Sequence, residues 1–185
     1  MVEVAPITAL FDKVTKIRGK ADNGFYIGAD TLTEKKNLTR FQQEAADSDI
    51  KLANGLAKDM EEWLYYYKKA QNYDFVIMGS NSGINDWDPI IIQKIIQQET
   101  HKLSVTNHRW MMPYTILGLT KIPEEQGKWA AQAALYILDG TSPSDIPIIS
   151  NRKWDLWINE KILSHSKIKI KMPHSLIKKA KKISD

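Results

Sequence analysis

Glycines bracket a run of short polar side chains at Gly79-Ser80-Asn81-Ser82-Gly83, and the chemistry on offer there is hydrogen bonding rather than bond making. Ser and Asn carry donors and acceptors on short arms, and flanking glycines let a main chain come close to a ligand. The same residues also suit a plain turn between a strand and a helix, so residue chemistry alone leaves both readings open. Asn85, Asp86, Trp87 and Asp88 extend the loop, and Trp87 either stacks on a ligand or staples the next helix. Asp86 and Asp88 are spaced to chelate a cation, although two carboxylates opening a helix more often serve its N-terminal dipole. Two further loops carry comparable groups. Asp30-Thr31-Leu32-Thr33 offers a carboxylate and hydroxyls; Asn107–Tyr114 offers, within His108–Tyr114, an arginine suited to a carboxylate and the aromatic walls Trp110 and Tyr114, with Met111 and Met112 read as core packing.

Catalytic patterns are wanting. The four histidines, His101, His108, His165 and His174, form no i, i+4 pair and have no carboxylate placed beside them in sequence. No nucleophile elbow, phosphate loop or dinucleotide fingerprint occurs. The chain has no cysteine, which removes a disulfide framework, a thiolate nucleophile and cysteine-based metal sites. No catalytic residue, metal ligand or cofactor is assigned.

These loops need elements to hold them. Ile7, Leu10, Phe11, Val14 and Ile17 share one helical face, with Gly19 as the stop. Gly24–Gly28 reads as a strand, and Thr31 with Glu34 forms a capping box that starts a helix near Leu32. A strand over Lys51–Leu56 precedes a helix over Asp59–Lys69. Phe75–Met78 is apolar throughout, as a strand buried on both faces of a parallel sheet must be. A helix from Pro89, strands at Leu103–Val105 and Thr115–Leu119, and a long helix from Pro123 to Leu138 follow. Strands alternating with helices imply a three-layer αβα sandwich around a mostly parallel sheet. In such sheets ligands sit beyond the carboxyl ends of the strands, which is where all three loops fall. After Gly140 the rhythm changes. A turn-rich stretch leads to a short extended run, one more strand at Trp154–Ile158, and a closing helix from Pro173 to Ile183, a part that reads as packing on something other than the main sheet.

With 185 residues, 43% apolar and 26% charged, one globular domain is the default. Residues 151–185 carry ten basic and three acidic side chains, a net +7 that leaves −3 for the rest. Past Trp157 that tail has no aromatic residue, so it reads as a solvated face, and nucleic acid is not expected as a partner. No apolar run is long enough to span a membrane, and Met1–Leu10 shows no export-signal pattern.

Glu125-Gln126-Gly127-Lys128-Trp129-Ala130-Ala131, followed by Ile137-Leu138-Asp139-Gly140-Thr141-Ser142-Pro143-Ser144-Asp145-Ile146-Pro147, resembles the ABC-transporter substrate-binding proteins of the tryptophan and tyrosine type. Their E-x-G-x-x-A-A helix leads into I-L-x-G-x-x-P-x-D-I-P and then an aliphatic strand ending in Asn, here Trp154–Ile158 with Asn159. The Met172–Ala180 segment matches their proline-initiated terminal helix. Tyr73–Asn81 looks like their D-x-h-h-h strand with its polar loop, and Gly24–Thr31 like the first strand of their second lobe.

The resemblance implies one lobe of a type I periplasmic-binding-protein fold, in which two α/β lobes close over a solute. It places a ligand-binding lobe at residues 1–150 and, at 151–185, a strand–helix tail that packs on a first lobe missing here. The implied function is non-enzymatic binding of a small polar, amino-acid-like solute, with Asp30, Thr31, Ser80, Asn81, Ser82 and Tyr114 as ligand-binding residues. Asp30 would meet an ammonium, and hydroxyls and helix N-termini a carboxylate. The implied partners are an ABC permease or a membrane sensor, and the implied location is periplasmic or extracytoplasmic. Without a first lobe, Trp154, Leu156, Trp157 and Ile158 would be exposed, or repacked against the second lobe or another copy of the chain, and exposure would invite a homodimer. The rival reading is an extracytoplasmic sensory or protein-interaction domain of the same fold; an enzyme of the flavodoxin or response-regulator kind is the third.

Overall fold

The computed structural model describes residues 5–183; residues 1–4 of the expected lobe and 184–185 of the expected tail lie outside them. Seven strands form one sheet in the order β2-β1-β3-β4-β5-β6-β7. The strands are β1 (Asn23–Ala29), β2 (Lys51–Ala57), β3 (Phe75–Met78), β4 (Leu103–Thr106), β5 (Leu117–Lys121), β6 (Trp154–Ile158) and β7 (Lys181–Lys182). β1 to β5 run parallel, β6 is antiparallel to β5, and β7 is parallel to β6. The helices are α1 (Ile7–Arg18), α2 (Leu32–Asp47), α3 (Met60–Ala70), α4 (Pro89–Glu99), α5 (Pro123–Leu138), α6 (Glu160–His165) and α7 (His174–Lys179). The architecture is the expected αβα sandwich with a mostly parallel sheet.

The central strands are buried because both their faces are covered, and β3 is apolar throughout. Phe75, Val76, Ile77 and Met78 are all buried, as are Phe25, Tyr26 and Ile27 of β1. On one face Phe11 of α1 packs edge-on against Phe41 of α2 and Phe75 of β3, with ring centroids 6.1 and 5.9 Å apart. Trp63 and Tyr67 of α3 stack at 5.1 Å, and both are buried. Each such aromatic contributes roughly 1.5–3 kcal/mol of burial free energy.

The chain leaves β1 toward α2 and leaves β3 toward α4. Because β1 and β3 are neighbours in the sheet while their connections diverge, a crevice opens beyond their carboxyl ends, the position at which doubly wound sheets take ligands.

Three details differ from the sequence expectations. The last parallel strand starts at Leu117, not Thr115, because Arg109–Tyr114 winds into a 3-10 helix around Pro113 and consumes the approach. The closing helix ends at Lys179. Beyond it, Lys181 and Lys182 pair with Trp157 and Ile158 of β6, and their side chains meet Asp155 (2.6 Å) and Glu160 (2.8 Å). Trp154–Ile158, read as packing away from the main sheet, is a full member of it, hydrogen-bonded to β5 from Leu117↔Ile158 to Lys121↔Trp154. Trp157 is tied down there, with Nε1 donating to Thr120 Oγ1 (2.9 Å) and Arg109 lying 3.8 Å over its ring. Trp154 at the start of β6 remains exposed, and further apolar side chains are uncovered on α5. No residue of that helix is buried, and Leu135, Tyr136, Ile137 and Leu138 are exposed in succession.

Candidate functional site

Thr31 caps α2 as its capping-box pattern requires, its hydroxyl accepting from the Glu34 amide at 3.3 Å. The second half of the box does not form. Glu34 turns its carboxylate inward, where Oε2 accepts from the Tyr26 hydroxyl (2.6 Å) and from the Ser80 amide (2.9 Å). Asn37, one turn further on, donates from Nδ2 to the Tyr26 oxygen at 2.8 Å. Glu34 is thus a carboxylate only 2% exposed, held between the ends of β1 and β3. Burial and the neighbouring Glu34 charge push the Tyr26 phenol well above its usual range, so it stays a donor.

The glycine before Ser80 has a different purpose from the one its position in the loop predicts. A Cβ on Gly79 would overlap Glu34 Oε2 and the Tyr26 hydroxyl, and one on Gly28 would overlap the same carboxylate oxygen. Close approach is needed here, but to the Glu34 side chain. Gly83 sits at φ +116°, a left-handed conformation that favours glycine, and faces the Thr31 methyl. Within the loop, Ser80 Oγ accepts from the Ser82 amide (3.0 Å) and the Asn81 carbonyl accepts from the Ile84 amide (3.1 Å).

The loop after β4 completes the site. Thr106 Oγ1 donates to the Met78 carbonyl (2.7 Å) and accepts from the His108 amide (3.1 Å), which fixes where Asn107 and His108 emerge. His108 and Trp110 stack with centroids 4.5 Å apart, and Trp110 is 49% exposed. His108 Nε2 lies 3.6 Å from Glu34 Oε1, within ion-pair reach if the ring is protonated but beyond a hydrogen bond.

Together these loops line a cleft of about 540 Å³. Glu34, Ser80, Asn107 and His108 form its floor, Trp110 a wall, and the side chains of Lys36, Arg40 and Lys121 its basic mouth. Burial lowers the Lys121 pKa. The result is a bipolar cavity at the carboxyl edge of a sheet, with hydrogen-bonding groups between the two charges.

Of the six residues expected to bind ligand, Thr31, Ser80 and Ser82 line this cleft. Asp30 does not; it is paired with Lys35 at 2.6 Å, and that hydrogen bond lowers its pKa. Asn81 also lies off the lining. Tyr114 is buried behind it, its hydroxyl accepting from Trp87 Nε1 at 3.2 Å and its ring edge-on to Trp87. Trp87 in turn meets Trp63 of α3 edge-on at 5.0 Å, so its ring packs between Trp63 and Tyr114. Met111 and Met112 are core residues. Arg109 lies over Trp157 and outside the lining. Asp88 caps α4 through the Ile90 and Ile91 amides (2.8 and 3.0 Å), and Asp86 accepts from the Met60 amide (2.9 Å). Among the described residues no group of three His, Asp or Glu side chains could hold a metal ion.

Sequence reasoning missed Glu34, Asn37, Arg40, His108 and Lys121 as lining residues. A signal existed for three of them: Glu34, Asn37 and Arg40 follow at i, i+3, i+6 along α2, whose N-terminus must face the sheet edge. The capping-box reading gave Glu34 another occupation and hid that face.

No family model matches the sequence, and no curated protein matches it. Solved structures do. A conserved domain protein from Vibrio cholerae O1 biovar El Tor is 14% identical and superposes with a TM-score of 0.69 over 97% of this chain and 60% of its own. The ABC domain in complex with L-Trp from Streptococcus pneumonia is 14% identical, with a TM-score of 0.70 over 97% of this chain and 61% of its own. A substrate-binding protein with adhesive properties from Clostridium difficile, in a ligand-free, open structure, is 15% identical, with a TM-score of 0.71 over 94% and 58%. The chain therefore has a periplasmic-binding-protein-like fold and spans about three fifths of the length of the structures it matches. At these identities the likeness is one of fold.

Proposed function

We propose that this chain is a solute-binding lobe that takes a small zwitterion, amino-acid-like in its charges, into the cleft beyond β1, β3 and β4, and that it binds without catalysing. The observation that carries the reading is the bipolar cavity: a buried carboxylate at its floor, cationic side chains at its mouth and hydroxyls between them. A zwitterion a few ångströms long satisfies both ends at once, and the Thr31, Ser80 and Ser82 hydroxyls are placed to bond its polar atoms. Two of the three neighbours in fold are described by their binding, one of L-Trp and one of substrate. In this reading the chain works outside the cytoplasm, with an ABC permease or a membrane sensor as its partner. Among the described residues no helix is long and apolar enough to cross a membrane.

A cleft with one lobe leaves part of a ligand in water, whereas pockets usually bury 70–90% of it, so affinity for the chain alone is expected in the millimolar range. Amide NMR titration with each of the common L-amino acids, and with glucose and ribose as controls, tests the proposal. Movement of the Ser80–Ser82 amides with an amino acid and not with the sugars is the expected result; a flat response to every amino acid would sink it.

One observation favours a second element of the reading. Leu135 and Leu138, one turn apart on α5 and both exposed, set apolar side chains side by side in water, with Tyr136 and Ile137 exposed around the same turn. In our reading α5 seats a second α/β lobe, and in its place a sensory partner or a second copy of the chain would use the same surface.

A further inference from the structure

We propose that the floor of the cleft is an ammonium site, in which a primary amine of the bound solute donates to Glu34 Oε1 with Asn107 Oδ1 and His108 Nε2 beside it. This rests on the solute-binding reading and adds which group of the solute is recognised and by which atoms. Glu34 divides its oxygens unequally. Oε2 is taken up by the Tyr26 hydroxyl and the Ser80 amide. Among the described residues Oε1 meets only His108 Nε2, at 3.6 Å, and the two are too far apart to share a proton in a hydrogen bond. Asn107 Oδ1 and His108 Nε2 are themselves buried without a hydrogen-bond partner among the described residues. Buried polar atoms are almost always partnered, and each exception calls for an explanation.

The chemistry of these atoms selects what can satisfy them. A carboxylate oxygen and an amide oxygen only accept. Two acceptors, one of them charged, suit a group with several donors, no acceptor and a positive charge. A primary ammonium is that group, with three N–H donors. A hydroxyl brings one donor and no charge, and a quaternary ammonium brings charge and no donor. Charge-assisted bonds to a buried carboxylate are the stronger kind, so the amine is bound as the cation. Trp110, stacked on His108 with half its surface free, gives the cation or its substituent an aromatic wall. At the mouth, the like charges of Lys36 and Arg40 disfavour a second positive group. The site thus selects a monoamine whose far end is neutral or anionic.

The test is a titration of the whole chain at neutral pH, followed by amide NMR, with two pairs of probes that differ only in the amine: L-tryptophan against indole-3-propionate, and L-alanine against propionate. In at least one pair the amino acid is expected to shift the Glu34, Ser80 and His108 amides and to bind about tenfold or more tighter than its deaminated acid. Glu34→Gln, which keeps an acceptor for Tyr26 and Ser80, is expected to lower amino-acid affinity by about the same factor and to leave the affinity for the acid unchanged. N-acetyl-L-tryptophan on the unaltered chain gives the same comparison without a variant, and is expected to bind no better than indole-3-propionate. If a deaminated acid or the acetylated probe binds as tightly as its amino acid, or folded Glu34→Gln binds the amino acid unchanged, the ammonium site is wrong while the solute-binding reading stands. If neither these probes nor any other common L-amino acid binds, both are wrong.

Discussion

Tyr26 supports the cleft from below, and its hydroxyl serves two partners at once, donating to Glu34 and accepting from Asn37. Tyr26→Phe removes both bonds and leaves a buried carboxylate oxygen short of a donor, so we expect a loss of about 1–3 kcal/mol in urea unfolding. The phenol also predicts behaviour at high pH. Tyr26 and Tyr67 both have folded-state pKa values raised above the ordinary 10.0, each chiefly by burial. Above pH 10 the unfolded chain loses these two protons while the folded chain keeps them, so stability is full below pH 10 and declines as pH rises. The slope is up to about 1.4 kcal/mol per pH unit for each phenol. Urea midpoints measured from pH 9.5 to 11.5 should fall, and Tyr67→Phe should flatten the decline; equal slopes in the two proteins would refute the assignment. At this scale the sequence was only half legible. Thr31, Ser80 and Ser82 declare themselves as short polar groups in loops. Glu34 does not, because a glutamate three residues after a threonine at a helix start has a local use that needs no tertiary structure. Its actual partners, Tyr26 and Ser80, are 8 and 46 residues away.

At the scale of elements, caps and glycines set where the loops of the site begin. Asp88 holds two amides at the start of α4, so Asp88→Ala should cost about 1 kcal/mol, read from thermal or denaturant unfolding. Millimolar Ca²⁺ or Mg²⁺ should leave the unaltered protein's melting temperature where it was; a rise would restore the chelating reading of Asp86 and Asp88. Gly79→Ala drives a methyl into Glu34 and Tyr26, and the expected result is a destabilisation of about 1–3 kcal/mol together with displacement of the floor carboxylate, visible as shifted Ser80 and Asn37 signals. The elements themselves were largely legible. Continuous apolar runs gave β1 and β3, and the proline and glycine boundaries gave α5 its observed ends. The failures came where tertiary contacts outweigh local preference. Lys178 to Lys182 reads as helix from propensity, but Lys181 and Lys182 pair with Trp157 and Ile158 of β6, a non-local contact, and their side chains meet Asp155 and Glu160.

At the scale of the whole molecule, α5 stands apart. Its apolar residues are exposed, so Leu135→Lys with Leu138→Lys should change unfolding free energy by no more than about 0.5 kcal/mol, while reducing any self-association seen in sedimentation at high concentration. A large loss of stability would mean that this face is already packed in the folded chain. Sequence reasoning left Trp154–Ile158 either exposed or repacked, since aromatic and aliphatic residues late in a chain give no sign of which sheet they join; pairing with β5 is a non-local property that composition does not encode. That pairing also has a mechanical meaning. The chain leaves the sheet at Lys121 and returns at Trp154, and these two residues are direct neighbours. Glu125, in the first turn of α5, accepts from the Arg152 and Lys153 amides (2.9 and 3.0 Å), so the outgoing and returning strands are clasped just past the sheet edge. Everything from 122 to 153 is therefore carried on a two-strand pivot, and Lys121, one of its two pins, is also part of the cleft wall. The cleft and the base of the 16-residue arm thus share one residue.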